Sequence, residues 1–208
     1  MYAEFKRFAT DSSLLRMERT RNLLANMLEY AKYYAAIKGV AAAGSGDMNV
    51  DRRLESIQKL GSTVTDPLVM YMFAAWKRDR VSCDGLLRML ADLESYLFRR
   101  MICSVSSNGL NKLVPSLIVR LDSAEDDLAE TFAALLITET AKATRMPTDE
   151  QFRQALLGED LYRPAPRCKY LLAGLENHNH PKDPRSFDEY TVEHIMPQNA
   201  MAHAKWRD

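Results

Sequence analysis

Apolar residues recur at intervals of three and four through most of the chain, and the stretches that keep this period stop at a glycine, a proline, a cluster of short polar residues or a basic cluster. The first stretch, from Leu14 to Lys38, places Leu14, Met17, Leu24, Met27, Leu28, Ala31, Tyr34 and Ala35 on one stripe of a long helix, with Asp11 and Ser12 as caps and Gly39 as a stop. Tyr30, Tyr33 and Tyr34 read as a core edge rather than a ligand box. A loop over Val40 to Met48 follows, whose glycines lack the ending of a phosphate loop. A short helix from Asp51 to Leu60 is closed by Gly61. Asp66-Pro67 reads as an N-cap and first helical residue, ahead of an apolar face made by Leu68, Val69, Met72, Phe73 and Trp76. The cluster Lys77-Arg78-Asp79-Arg80 ends that helix, where cations complement the C-terminal dipole.

The second half repeats the scheme. Leu86, Leu90, Leu93, Leu97 and Met101 mark one buried stripe of a long helix with Arg99 and Arg100 in its last turns, one expected to meet an internal acid and the other solvent or a phosphate. Ser106-Ser107-Asn108-Gly109 is a turn, and Pro115 implies that the next helix starts near Lys112 or kinks. A helix follows from the acidic start at Ser123 to Asp127 as far as about Thr144, and Thr148-Asp149-Glu150-Gln151 has the form of a capping box. Pro164-Ala165-Pro166 breaks the pattern before a final helix over Cys168 to Asn177, and His178 to Pro184 is a connector.

One stretch departs from the helical period. In Tyr190-Thr191-Val192-Glu193-His194-Ile195-Met196-Pro197-Gln198 the β-branched residues favour extended backbone and Pro197 holds Met196 away from the helical region, which predicts a short strand entering a turn. Adjacent residues on a strand point to opposite faces, so Glu193 and His194 meet one ion and one substrate only where a twist or bulge intervenes. A neutral imidazole takes a proton from water near pH 7 and a carboxylate holds a hard cation, two parts of a metal-assisted hydrolysis.

Glu193-His194-Ile195-Met196-Pro197-Gln198 resembles the box that opens the HNH-type nuclease domain of the GmrSD-like, modification-dependent restriction endonucleases. Tyr96 to Cys103, Asn108 to Leu113 and Tyr170 to Glu176 resemble the helical blocks that precede it. The resemblance implies that His194 is the general base, Glu193 a ligand of Mg²⁺ or Mn²⁺, and modified phage DNA the substrate. It further implies a second strand and a helix carrying a later Asn or His, and an N-terminal nucleotide-hydrolysing domain in the same or a partner chain. With its last residue at Asp208, the chain is expected to be the helical middle of such a protein plus the start of its nuclease domain, incomplete for catalysis.

The expected fold is therefore mainly α, a bundle-like multi-helix domain over residues 1–163, then over 164–208 a final helix, a connector and a short strand that begins a truncated ββα-metal motif. Charge adds little, because 28 Lys and Arg balance 28 Asp and Glu and give no global positive field, so any DNA contact rests on local basic groups. Cys83, Cys103 and Cys168 form no close pair, which speaks against a disulfide framework and for a reducing cytoplasm, and no apolar run reaches membrane-span length. All four histidines follow residue 177, but with Cys168 they fit no common zinc spacing. The rival reading, from another class, is a non-catalytic helical interaction module in which Glu193 and His194 form a structural polar pair.

Overall fold

The computed structural model describes residues 16–40, 44–162, 165–180, 183 and 185–193. Its α-helices are α1 (Arg16–Ile37), α2 (Met48–Lys59), α3 (Asp66–Lys77), α4 (Cys83–Ile102), α5 (Leu110–Asp122), α6 (Leu128–Thr138), α7 (Asp149–Gly158) and α8 (Ala165–Asn179), with single 3-10 turns at Thr63–Thr65 and Ser107–Gly109. Among the described residues there is no strand.

Local chemistry sets most of these ends. The Asp47 carboxylate accepts from the Asn49 and Val50 N–H groups and opens α2, Ser82 accepts from Gly85 N–H at 3.0 Å and opens α4, and Asp127 accepts from Glu130 N–H at 2.9 Å and opens α6. The reciprocal box at α7 forms as expected, with Thr148 accepting from Gln151 N–H and Gln151 accepting from Thr148 N–H. Gly61 closes α2 at φ +73°, a backbone angle that costs glycine little.

α4 is the mast of the fold and packs against α2, α3, α6 and α7, while α3 also meets α1 and α5. Surrounded in this way, α4 buries more than the one stripe read from its leucines: Met89, Tyr96 and Arg100 are as deeply buried as Leu86, Leu90 and Leu93. Phe132 of α6, Leu117 and Leu121 of α5 and Leu68 and Met72 of α3 complete the centre. Burying such side chains contributes about 1.5–3 kcal/mol each before entropy is charged against it.

Several boundaries and faces differ from the periodic reading. Asp66 is the first residue of α3 rather than its cap; its carboxylate instead pairs with Lys38 at 2.7 Å. α5 begins at Leu110, so Pro115 lies inside it and removes the N–H that would reach Asn111. α6 ends at Thr138, where the hydroxyl folds back onto the Ala134 carbonyl, and the backbone turns extended at Glu139. On α1, Leu24, Met27 and Leu28 are exposed, since that helix meets α3 through Tyr33, Ala36 and Ile37 instead. Tyr33 stacks on Phe73, as a core edge should. The caps assigned to Asp11 and Ser12 lie outside the described residues.

Candidate functional site

The expected strand does not appear where it can be followed. Thr191 to Glu193 has no regular structure, because among the described residues no second strand supplies the ladder that would satisfy its backbone. Arg185 to Glu193 is instead a strap laid along α8. His194 to Gln198, and with them the candidate base, lie outside the described residues, as does His203.

Three sets of contacts hold the strap. The Asn177 side chain accepts from Arg185 N–H at 2.9 Å and donates to the Arg185 carbonyl at 3.1 Å, so one amide reads both backbone groups of one residue. Lys169 Nζ donates to the Asp188 carbonyl at 2.5 Å. The Asp188 carboxylate meets Lys59 Nζ of α2 at 3.1 Å and accepts from the Ser186 hydroxyl at 2.7 Å. The Ser186 hydroxyl and then Lys59 hold the Asp188 carboxyl below its ordinary value. Partial burial pulls Lys59 down, but its bonds to Glu55 and Asp188 leave it above its ordinary value.

At the strap's end Glu193 is exposed, accepts from the Thr191 hydroxyl at 3.0 Å, and lines a cleft of about 340 Å³ with Lys169, Leu172, Glu176 and Tyr190. Glu176 is engaged by His180 at 3.2 Å, and His178 is exposed. Among the described residues no three His, Cys, Asp or Glu side chains converge as a metal cage. Mg²⁺ commonly takes only one or two carboxylates, with water and substrate phosphate supplying the rest, so the hard oxygens of Glu193 fit it as a single ligand.

A second cleft of about 360 Å³ shares Lys169, Ala173 and Phe187 with the first and is lined also by Glu94 and Tyr170. Glu94 accepts from both Arg53 and the Tyr170 hydroxyl, and Tyr170 also packs on Phe98 at 5.4 Å. Burial first, and then the Glu94 carboxylate, push the Tyr170 phenol well up. Tyr170 of the box-preceding block thus fastens α8 to α4.

The other two blocks are structural in the same sense. The Arg100 guanidinium donates to the carbonyls of Ser106 at 2.6 Å, Ala143 at 2.9 Å and Arg145 at 3.5 Å. Tyr96 donates to the Thr144 carbonyl, and its burial pushes the phenol up to about 12. Gly109 completes this latch: a Cβ there would stand 2.6 Å from the Ala143 oxygen. Arg99 pairs with Asp149 at 2.6 Å, but that carboxylate is exposed, so the internal acid expected for one of the two arginines is not what either meets: the buried one, Arg100, is held by neutral carbonyls. The basic cluster at the end of α3 is similarly occupied, with Lys77 over Trp76 at 3.8 Å, Arg78 on Glu29 and Arg80 on Asp122.

Sequence reasoning missed Asn177, Asp188, Lys59 and Lys169. Lys59 and Asp188 are 129 residues apart, so no local spacing announces their contact. Residues 146–208 match the family model for the C-terminal domain of the GmrSD restriction endonucleases. That span contains the block at Tyr170, the strap and the Glu193 box. No curated protein and no solved structure matched the chain.

Proposed function

Because residues 146–208 belong to the C-terminal domain family of the GmrSD restriction endonucleases, we propose that this chain forms part of a metal-dependent DNA endonuclease that restricts modified phage DNA in the cytoplasm. The family match over the Glu193 box is the observation that carries the reading. Residues 1–163 are the helical support and 164–208 the approach to the nuclease domain, with an N-terminal nucleotide-hydrolysing domain in the same or a partner chain. Among the described residues no helix is long and apolar enough to cross a membrane.

In this reading His194 is the general base that takes a proton from the attacking water, and Glu193 is a ligand of Mg²⁺ or Mn²⁺. When bound, the ion polarises the scissile phosphate and stabilises the leaving oxygen. Glu193 suits its part because its carboxylate is exposed at the end of a strap anchored to two helices and, among the described residues, is hydrogen-bonded by the Thr191 hydroxyl alone. Completion of the site requires a further Asn or His ligand.

The test is cleavage of modified and unmodified DNA by the full-length protein with Mg²⁺ or Mn²⁺. His194→Ala should lower kcat by roughly 100- to 10,000-fold, and Glu193→Ala should raise the metal concentration needed. Undiminished cutting by His194→Ala would remove the assignment. A helical interaction module is the second reading, favoured by the exposed Leu24, Met27 and Leu28 of α1.

A further inference from the structure

The strap enters the box from a helical body that carries no other described link to Glu193, so whatever fixes the strap fixes the carboxylate. Two features make its attachment specific. The Asn177 amide satisfies the Arg185 N–H and C=O together, which locks one residue in register on α8 in the way a β-bridge would. Three residues later Asp188 is gripped from both sides, its carbonyl by Lys169 of α8 and its carboxylate by Lys59 of α2. Between these points Phe187 is half-buried and stacks with Tyr190 at 5.4 Å. The five residues from the second grip to Glu193 tether the carboxylate within about 17 Å of Asp188, and over that span Tyr190, Val192 and Glu193 line one cleft with Lys169, Leu172 and Glu176 of α8.

We propose that Asn177 and Asp188 form a clasp that registers the strap on α8 and α2 and thereby sets the position of Glu193: they are positioning residues of the nuclease box. Neither touches the reacting atoms. This rests on the endonuclease reading for its consequence in catalysis, but the clasp itself is measurable without it. Trypsin offers a direct probe, since cleavage after Arg185 needs the very backbone groups that Asn177 occupies, and proceeds only from the opened strap.

In the full-length protein, Asn177→Ala should speed the tryptic cut after Arg185, identified by fragment mass, by about tenfold, the size expected for losing two hydrogen bonds. Asn177→Asp, which keeps the acceptor for Arg185 N–H and loses the donor, should fall between Ala and the native residue. Asp188→Asn should give about a two- to fivefold increase, as befits an exposed ion pair. In DNA cleavage all three should lower kcat in the same order with KM unchanged, because a smaller fraction of molecules holds the reacting geometry. An unchanged tryptic rate in Asn177→Ala overturns the clasp. A loosened strap with unchanged kcat, where Glu193→Ala impairs cutting or raises its metal requirement, overturns the positioning role. If Glu193→Ala also cuts normally, the endonuclease reading has failed, and the tryptic rates alone uphold or overturn the clasp.

Discussion

Replacing Arg100 with methionine separates a structural arginine from a phosphate-binding one. Its side chain is 3% exposed, and its two shorter bonds, to Ser106 and Ala143, run at 2.6 and 2.9 Å to neutral carbonyls, while the third at 3.5 Å adds little. A hydrogen bond from a charged donor contributes about 1.5–3 kcal/mol, so the two are worth roughly 3–6 kcal/mol. Methionine escapes the cost of burying a guanidinium, which returns part of that. The net loss should be about 2–4 kcal/mol, large against the roughly 5–15 kcal/mol of a typical domain. Urea unfolding measures it, with the midpoint lowered and the slope unchanged. Arg100→Lys should recover only part, because one ammonium on a flexible stem does not span carbonyls from two segments. Tyr96→Phe should cost about 1 kcal/mol alone. It should cost less beside Arg100→Met, since both side chains hold the same 143–145 turn. A change within about 0.5 kcal/mol for Arg100→Met, the size of a surface substitution, would refute the latch. Loss of DNA affinity at unchanged stability would return Arg100 to phosphate.

Gly109→Ala should lower stability by about 1–3 kcal/mol through overpacking, because its Cβ would stand 2.6 Å from a backbone oxygen that Arg100 also holds; thermal unfolding reads this. The Asp188 carboxyl, depressed by Ser186 and then Lys59, stabilises the folded strap fully above its ordinary pKa of 3.8 and loses that contribution as pH falls through the lower folded value. An NMR titration of Asp188 should therefore show a midpoint below 3.8, moved upward more by Ser186→Ala than by Lys59→Met.

Helices were legible in this sequence because their information is local. Thr148 and Gln151 announce their own box, and the leucines of α4 their own buried stripe. The early end of α6 was missed although the large apolar residues stop at Ile137 and threonines follow; what the sequence could not show is that the chain leaves the helix to deliver the carbonyls of Ala143, Thr144 and Arg145 to Tyr96 and Arg100, more than forty residues earlier. The exposure of Leu24, Met27 and Leu28 shows the same limit, since periodicity gives a face but not what lies against it. The resemblance at Glu193 rests on a pattern of residue types in one stretch, whereas the contacts of Asn177 with Arg185 and of Asp188 with Lys59 depend on folding distant segments together. The strand expected there failed within the described residues because extended propensity needs a partner edge.

The latch at Arg100 also bears on how this chain can be divided. The family match begins at Met146, one residue beyond the last carbonyl that Arg100 holds, and Met146 itself packs against the helical core. Phe152 and Tyr170 rest on Phe98, Asp149 on Arg99, and Arg167 donates to the Met101 carbonyl. The start of the family match thus falls in a seam closed by packing and hydrogen bonds. Excising 146–208 would strip α7 and α8 of the surface they are built upon and take the Pro147 carbonyl and Asp149 from Arg99. The matched residues and the helices they pack on are joined by contacts that a cut at Met146 would sever.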